Sequence, residues 1–491
     1  MNQFSRPFGR TLWRVALALG MTLGSFSPGN AAPPPINIPA MAGENQEEST
    51  GVFGFLDGIE RSSALLGDMW GLRTYLSRYG ITLAIQETSE ELGNVTGGTG
   101  RGFVYDGLSQ VVGQLDTQRA FGFYGGLANV SFLNLHGGNL SANNLQTLQT
   151  ASGIEADQAT RLWELWYDQK FLIEDRLDLK VGQQSLDQEF MVSTNALYFV
   201  NTMFGWPMLP SADMPSGGPA YPLSALGARI STRPVNGIQI LAGVFNGNPV
   251  QNDNGTDPQH QDRHGTNFPL NGGRLYIGEV QYLYPALGRM VAPGQTSDLG
   301  WTYKIGAWYN TNAFSDVRID STGLSLANPA SSGIPQQHRG DYAVYGVADQ
   351  LIWRDDQYPD RAIAVFVRAM GTPWEDRNPI DRSFNAGVIM HSPFRNRPAD
   401  TAGVGMEYAH VSPQASQLDI DTAQFSGTAQ PIRSGETVLE TFYQYQFKPW
   451  ILVQPDIQYV FKPGAGIPLP SNPSMRMQDE LVMGLRLIIS L

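Results

Sequence analysis

Val482-Met483-Gly484-Leu485-Arg486-Leu487-Ile488-Ile489-Ser490-Leu491 alternates: its odd-numbered residues are all apolar, and its even-numbered ones include Gly484, Arg486 and Ser490. Successive side chains of a strand leave on opposite faces. Ten such residues therefore offer one face to lipid and the other to a polar lumen. A barrel closes by pairing its last strand with its first, so a strand is expected at this place. The competing reading is the terminal strand of a soluble sheet. Leu491 departs from the usual ending of outer-membrane barrels, an aromatic residue and often Phe.

The other end of the sequence reads as an export signal. Arg6, Arg10 and Arg14 precede the apolar run 15–23, and the small residues Gly29-Asn30-Ala31-Ala32 follow. That order of basic, apolar and small residues is a secretory signal. Its apolar core is shorter than the roughly 20 residues a spanning helix needs, although a short anchor is the alternative. Cleavage is expected after Ala31, because a cut after Ala32 would set Pro33 beside the scissile bond. Residues 1–31 are thus assigned to a signal peptide and 32–69, with their prolines and Glu44, Glu47 and Glu48, to a flexible periplasmic segment. Residues 70–491 are assigned to the barrel. Leu72, Tyr75, Leu76 and Tyr79 recur at helical spacing before Gly80 and predict a short helix at the periplasmic end.

Composition narrows the classes. No run of 18 apolar residues follows the signal, so no transmembrane helix is expected. There is no cysteine, hence no disulfide and no thiolate metal site. The net charge is −13, and the mature chain would set 45 acids against 29 bases, which disfavours nucleic acid or anionic lipid as a partner. Charged residues are only 16% while aromatics reach 11% and glycines number 54, which suits a sheet meeting lipid and joined by tight turns.

From Ile81 onward the period is two. Strands are predicted at 81–95, 103–115, 121–135, 160–170, 176–184, 225–233, 237–245, 274–284, 300–310, 342–353, 361–370, 384–391, 402–411, 436–447, 451–461 and 481–491. That is 16, an even number, as single-chain bacterial barrels require. A propeller would also supply many short strands, but no repeat of 40–50 residues is present. The fold class is therefore all-β: a single transmembrane antiparallel barrel enclosing a water-filled pore.

Alternation also divides the faces, because lipid cannot solvate charge. Trp163, Leu165 and Tyr167 are assigned outward, which sends Glu164, Trp166, Asp168 and Lys170 into the lumen. The same argument sends in Asp178, Lys180, Arg229, Arg368, Glu407, Glu440, Gln444, Gln446, Gln454, Asp456, Gln458 and Arg486. The predicted lumen is polar and carries both signs.

Several strings resemble one family. They are Thr160-Arg161-Leu162-Trp163-Glu164-Leu165-Trp166, Phe204-Gly205-Trp206-Pro207, Pro215-Ser216-Gly217-Gly218-Pro219-Ala220-Tyr221-Pro222-Leu223, Tyr345-Gly346-Val347-Ala348-Asp349-Gln350 and Gln454-Pro455-Asp456-Ile457-Gln458-Tyr459-Val460. With Gly93-Asn94-Val95 and Tyr105-Asp106-Gly107 they run in order from about residue 70 to the last, and they resemble the carbohydrate-selective porins of Gram-negative outer membranes, the OprB type. The resemblance implies a 16-stranded barrel passing glucose and other sugars passively, with no cofactor. A general diffusion porin, or a channel for another small polar solute, shares every barrel feature and remains the alternative. The expected partners are sugars, outer-membrane lipid and the barrel-assembly machinery, with a homo-oligomer left open and no nucleic acid.

Sugar chemistry selects the candidate residues. Arginine and carboxylate groups make paired hydrogen bonds to hydroxyls, aromatic rings cover the C–H face, and shallow serial sites favour flux. The pore-lining candidates are Glu164, Trp166, Asp168, Lys170, Arg229, Arg368, Glu407, Glu440, Asp456 and Arg486. For Trp166 the alternative is packing against an inward loop, and for the arginines a structural ion pair. Pro215, Ser216, Gly217, Gly218 and Tyr221 lie in a long non-strand stretch, 202–224, and are candidates for a constriction loop; an ordinary extracellular loop is the alternative. The segment 251–265 has calcium-loop composition without the bidentate Glu at the required spacing, so no metal site is assigned. His410 and Ser412 sit too close along one strand to form a hydrolase pair, and no enzyme is expected.

Overall fold

A computed structural model describes residues 35–36, 63–250, 257–284 and 299–491. The expected signal peptide and most of the expected periplasmic segment lie outside the described residues. Sixteen of the described strands close one antiparallel barrel. Eight come first: β1 (Ile81–Thr96), β2 (Gly102–Asp116), β3 (Gly126–Gly137), β4 (Ala159–Phe171), β5 (Leu177–Gln184), β6 (Ala225–Val235), β7 (Ile238–Asn246) and β8 (Arg274–Tyr284). Next are β9 (Trp301–Asp320), β10 (Pro335–Arg354), β11 (Ala362–Gly371), β12 (Ile380–His391), β13 (Thr401–Val411), β14 (Gly435–Lys448), β15 (Ile451–Phe461) and, after a small hairpin of β16 (Pro468–Leu469) and β17 (Asn472–Arg476), β18 (Glu480–Ser490). The alternating segment 482–491 closes the ring: Arg486 stands opposite Glu90 of β1 on one side and Gln454 of β15 on the other. All sixteen predicted strands are present.

The longest connections all lie at one end. Turns such as 236–237 and 449–450 lie at one end, and the long connections 138–158, 185–224, 247–273 and 412–434 lie at the other. Outer-membrane barrels turn their short connections to the periplasm. The predicted N-terminal helix is Leu72–Arg78, at the short-turn end. The Arg73 guanidinium fastens it by donating to the Leu83 carbonyl of β1 at 3.3 Å and to the Leu491 carbonyl at 2.5 Å. Among the described residues no helix is long and apolar enough to cross a membrane.

Three local departures from the sequence reading have physical causes. The third strand starts at Gly126 rather than 121, because Thr117–Phe121 is a helical turn. Asp116 caps it through the Gln118 and Arg119 amides at 2.8 and 3.1 Å, and Gly122 ends it at φ +75. Second, β9 and β10 run well past the predicted 310 and begin before 342. Beyond the bilayer both faces are wet, so alternation fades while backbone pairing continues. The Asp320 carboxylate orders the far tip by accepting from the Thr322, Leu324 and Ser332 amides at 2.9, 2.9 and 2.6 Å.

The third departure is Trp163. Ser131 pairs with Glu164 while Phe132 pairs with Leu162, so Trp163 is the extra residue of a bulge. The bulge turns Trp163 inward, against the outward assignment. It is 2% exposed and packs edge-on against Tyr221 at 6.1 Å. On the far side of the bulge Leu165 meets lipid, as alternation requires.

Candidate functional site

The connection between β5 and β6, residues 185–224, crosses the lumen instead of standing outside it. Its apolar face carries Phe190, Met191, Met203, Trp206 and Leu209, all fully buried in one cluster with Phe245, Trp308 and Tyr345 of the wall. Burying each such side chain contributes on the order of 2 kcal/mol. The loop's backbone is then fastened by charged wall residues, which satisfy polar groups that the lumen would otherwise strand.

These fastenings go round the ring. Glu164 of β4 accepts from the Ser185 amide at 3.1 Å. Glu279 of β8 accepts from the Met191 amide at 2.9 Å, and Lys304 of β9 donates to the Val192 carbonyl at 2.7 Å. Asp349 of β10 accepts from the Ser193 hydroxyl at 2.6 Å and the Asn195 amide at 3.2 Å. Glu440 of β14 accepts from the Val200 and Asn201 amides at 2.6 and 3.0 Å. Arg486 of β18 is paired with Glu90 of β1 and donates to the Phe199 and Val200 carbonyls at 3.3 and 3.4 Å.

Arg368 of β11 makes the densest contact. It is 0% exposed. It donates to the carbonyls of Met191 (3.0 Å), Met203 (2.5 Å), Phe204 (2.9 Å) and Gly205 (3.0 Å). Its Nε donates to Asn385 at 3.1 Å, and the Asn385 amide donates onward to Glu407 at 3.2 Å. A planar guanidinium with five donors is suited to gathering several carbonyls at one point.

A second connection, 138–158, also turns inward. Glu436 of β14 accepts from the Leu148 and Gln149 amides at 3.0 and 2.7 Å, and Gln458 of β15 donates to the Ala151 carbonyl at 2.7 Å. Within the loop Glu155 accepts from the Leu140 and Ser141 amides. Burial pushes its carboxyl up to about 7. Burial likewise pushes Asp187 of the first loop up to about 7, although the Ser185 hydroxyl and the Tyr221 amide donate to it at 2.6 and 3.1 Å.

The sequence-derived candidates therefore divide. Glu164, Arg368, Glu440 and Arg486 touch the crossing loop, and Glu407 stands behind Arg368. Asp456 accepts from Gln458 at 3.0 Å. Lys170 pairs with Asp175 at 3.6 Å beside the β4–β5 turn. Trp166 and Arg229 belong to a charged cluster on the β4–β6 wall. Asp168 stands opposite Lys180 there in the strand register. Lys180 covers one face of the Trp166 ring at 4.2 Å and pairs with Glu189 of the loop. Arg229 pairs with Asp178 and, at 2.5 Å, with Glu189.

The proposed constriction residues sit inside the loop's packing. Trp206 Nε1 donates to the Gly217 carbonyl at 3.0 Å, and the Ser216 hydroxyl donates to Asn248 at 2.8 Å. Pro215 opens the 3-10 turn Pro215–Gly217, and Gly218 lies against Met214, where a Cβ would come within 2.8 Å of the sulfur. Tyr221 is fully buried and its hydroxyl donates to the Ile154 carbonyl of the second loop at 3.0 Å. On the periplasmic side a cavity of about 340 Å³ opens between the loop and the wall, lined by Thr194, Leu197, Tyr198, Gln444, Gln446 and Arg486.

Strand parity could have found Glu90, Glu279, Asp349 and Glu436, since each stands on an inward face. No local signal marks 138–158 as a second inward loop. His260, remote in sequence from Asp157, lies 3.0 Å from it, with Asp257 close by. Residues 251–256 of the calcium-like stretch lie outside the described residues. His410 pairs with Asp381 at 2.6 Å, while the Ser412 hydroxyl caps the helix Pro413–Ser426, so the two face different partners.

A closed transmembrane barrel with a polar lumen and loops folded across it is a porin. Residues 100–491 match the family described as carbohydrate-selective porin, OprB family, and the chain belongs to it. It is thus a carbohydrate porin of a Gram-negative outer membrane, and the family is one of channels. Porin B of Pseudomonas aeruginosa is 23% identical over 427 residues, covering 82% of this chain and 87% of that protein. The putative porin QuiX of Acinetobacter baylyi is 21% identical over 423 residues, covering 82% and 89%. The high-pH structure of Pseudomonas putida OprB superposes with a TM-score of 0.74 at 21% identity, covering 88% of this chain and 99% of that one.

Proposed function

We propose that the chain passes small neutral sugars, glucose among them, through a path narrowed by the loop 185–224. The observation that carries this reading is the loop itself, fastened across the lumen from β4 to β18 by buried charges. In this reading Trp166, Asp168, Lys180, Glu189 and Arg229 contact the solute on one wall, and Tyr198, Gln444 and Gln446 contact it on the periplasmic side. The support is chemical. Charges of both signs and amides can trade hydrogen bonds with ring hydroxyls at little net cost, and rings can cover the C–H face. Arg368, Glu407, Glu440 and Arg486 act indirectly, by fixing the loop that sets the aperture.

The test is liposome swelling with glucose, larger oligosaccharides and amino acids. Faster entry of glucose than of a neutral amino acid of similar size supports the reading, and equal rates return it to general diffusion. We further infer that 1–31 is removed on export, that 32–69 stays periplasmic, and that the assembly machinery inserts 70–491. N-terminal sequencing of the exported protein reads the cut expected after Ala31.

A further inference from the structure

Two long connections, 138–158 and 247–273, meet beside the start of β4, where the Leu162 amide donates to the His264 carbonyl at 2.9 Å. Their meeting brings Asp157, Asp257 and His260 together. One atom from each, two carboxylate oxygens and an imidazole nitrogen, lies within 4.8 Å of the others. Among the described residues no other three histidine or carboxylate groups converge so closely. His260 Nδ1 is 3.0 Å from Asp157 Oδ2. Gln259, which is buried, holds the set in place. Its Oε1 accepts from the Asp157 amide at 2.8 Å, and its own amide donates to Asp257 Oδ1 at 2.8 Å. The His260 amide donates to the Asp257 carbonyl at 3.1 Å. Asp257 keeps its second oxygen to offer.

A simple ion pair between His260 and Asp157 does not account for this set. Asp157 Oδ2 is shielded from solvent, yet among the described residues no donor is aimed at it in hydrogen-bond geometry. The pair also leaves Asp257 facing Asp157. Burial, and then the Asp257 charge, hold the Asp157 carboxyl above its ordinary range. The neighbouring guanidinium groups donate elsewhere. Arg161 donates to the carbonyls of Pro222, Gln259 and Asp262 at 2.9, 3.0 and 2.7 Å, and Arg263 to the Gln158 carbonyl at 3.1 Å. Two facing carboxylates beside an imidazole nitrogen are a place for a cation.

We propose that Asp157, Asp257 and His260 bind a zinc ion. One imidazole nitrogen and two carboxylate oxygens suit zinc, whereas calcium and magnesium take oxygen ligands. Zinc holds such atoms at about 2.0–2.2 Å, which sets tetrahedral ligand atoms about 3.4 Å apart. The His260–Asp157 contact is already near that spacing, and small side-chain rotations bring in Asp257. The His260 side chain is 59% exposed, so the ion has an open path and keeps water as its fourth ligand. Because its ligands come from two connections, the ion ties the inward loop 138–158 to 247–273. Asp157 is remote in sequence from the other two ligands, so no local spacing announces the site.

The test is equilibrium dialysis of the full chain, purified in mild detergent without a polyhistidine tag, against zinc chloride. One ion per chain is expected. His260→Ala and the isosteric Asp157→Asn should each weaken binding roughly tenfold or more, while His264→Ala and His338→Ala leave it unchanged. Heat-modifiable migration checks that each barrel is folded, and either of the first two variants suffices if the other does not fold. Cobalt in place of zinc should give the visible absorption bands of a tetrahedral site, lost in the same variants. No bound zinc, an equal loss of binding in His264→Ala, or calcium held as tightly as zinc and indifferent to His260→Ala would overturn the proposal.

Discussion

Replacing Arg368 by Ala strips a buried guanidinium from four loop carbonyls and from Asn385. A hydrogen bond from a charged donor is worth about 1.5–3 kcal/mol, and such bonds at one centre do not add. Removing one member of a buried charged network typically costs about 3–5 kcal/mol. At about 1.4 kcal/mol per decade, the docked-to-undocked ratio of 191–205 should fall by roughly two to three and a half orders of magnitude. The barrel's own pairing does not depend on that loop, so the ring should persist and migrate as a folded, heat-modifiable species. Single-channel recording should show higher mean conductance and added flicker, and liposome swelling should admit larger solutes. Arg368→Lys keeps the charge with fewer donors and should fall between the two. Wild-type conductance, noise and size cut-off in Arg368→Ala would refute the assignment of this arginine as the main latch.

Deleting 211–220 should raise conductance and relax size selection, because the Gly217 carbonyl that holds Trp206 goes with it; unchanged conductance would count against the loop as the narrowing element. Gly265 sits at φ +63 where a Cβ would lie 1.8 Å from the Leu162 carbonyl, beside the bulge that turns Trp163 inward. Gly265→Ala should therefore lower the thermal midpoint measured by heat-modifiability, through strain and lost docking of 257–273 on β4. Glu155 gives a pH dependence. Docked, it keeps its proton up to about pH 7, whereas an undocked Glu releases it near 4.5. The docked loop thus binds more protons between those values, so acid favours docking and the advantage is lost as pH rises from 4.5 to 7. Protease nicking of 138–158 should accelerate across that window, and Glu155→Gln should flatten the profile.

Much of the barrel was legible because lipid imposes a rule that sequence must obey. Leu177, Leu179 and Val181 alternate with Asp178 and Lys180 for no reason except the two solvents on either side. The same rule failed at Trp163, where one inserted residue reverses parity and no residue type announces the bulge. It also failed past residue 310, where water on both faces removes the pattern that pairing alone sustains. The inward faces of Arg368, Glu440 and Arg486 followed from parity, but their partners did not. Phe199, Val200 and Phe204 offer backbone atoms from a loop remote in sequence, and backbone atoms carry no sequence signal. Pro215 to Tyr221 stood out as a fixed shape, and their burial among Trp206, Asn248 and Ile154 became visible only with the fold.

On the proposed reading, the lumen binds sugar weakly on its way through. Titrating glucose into a planar bilayer holding single channels measures this directly. Weak binding predicts a saturable fall in ion current, with added current noise, beyond the effect of viscosity. A fall that tracks viscosity alone, and is matched by a non-sugar solute of the same size, would contradict it.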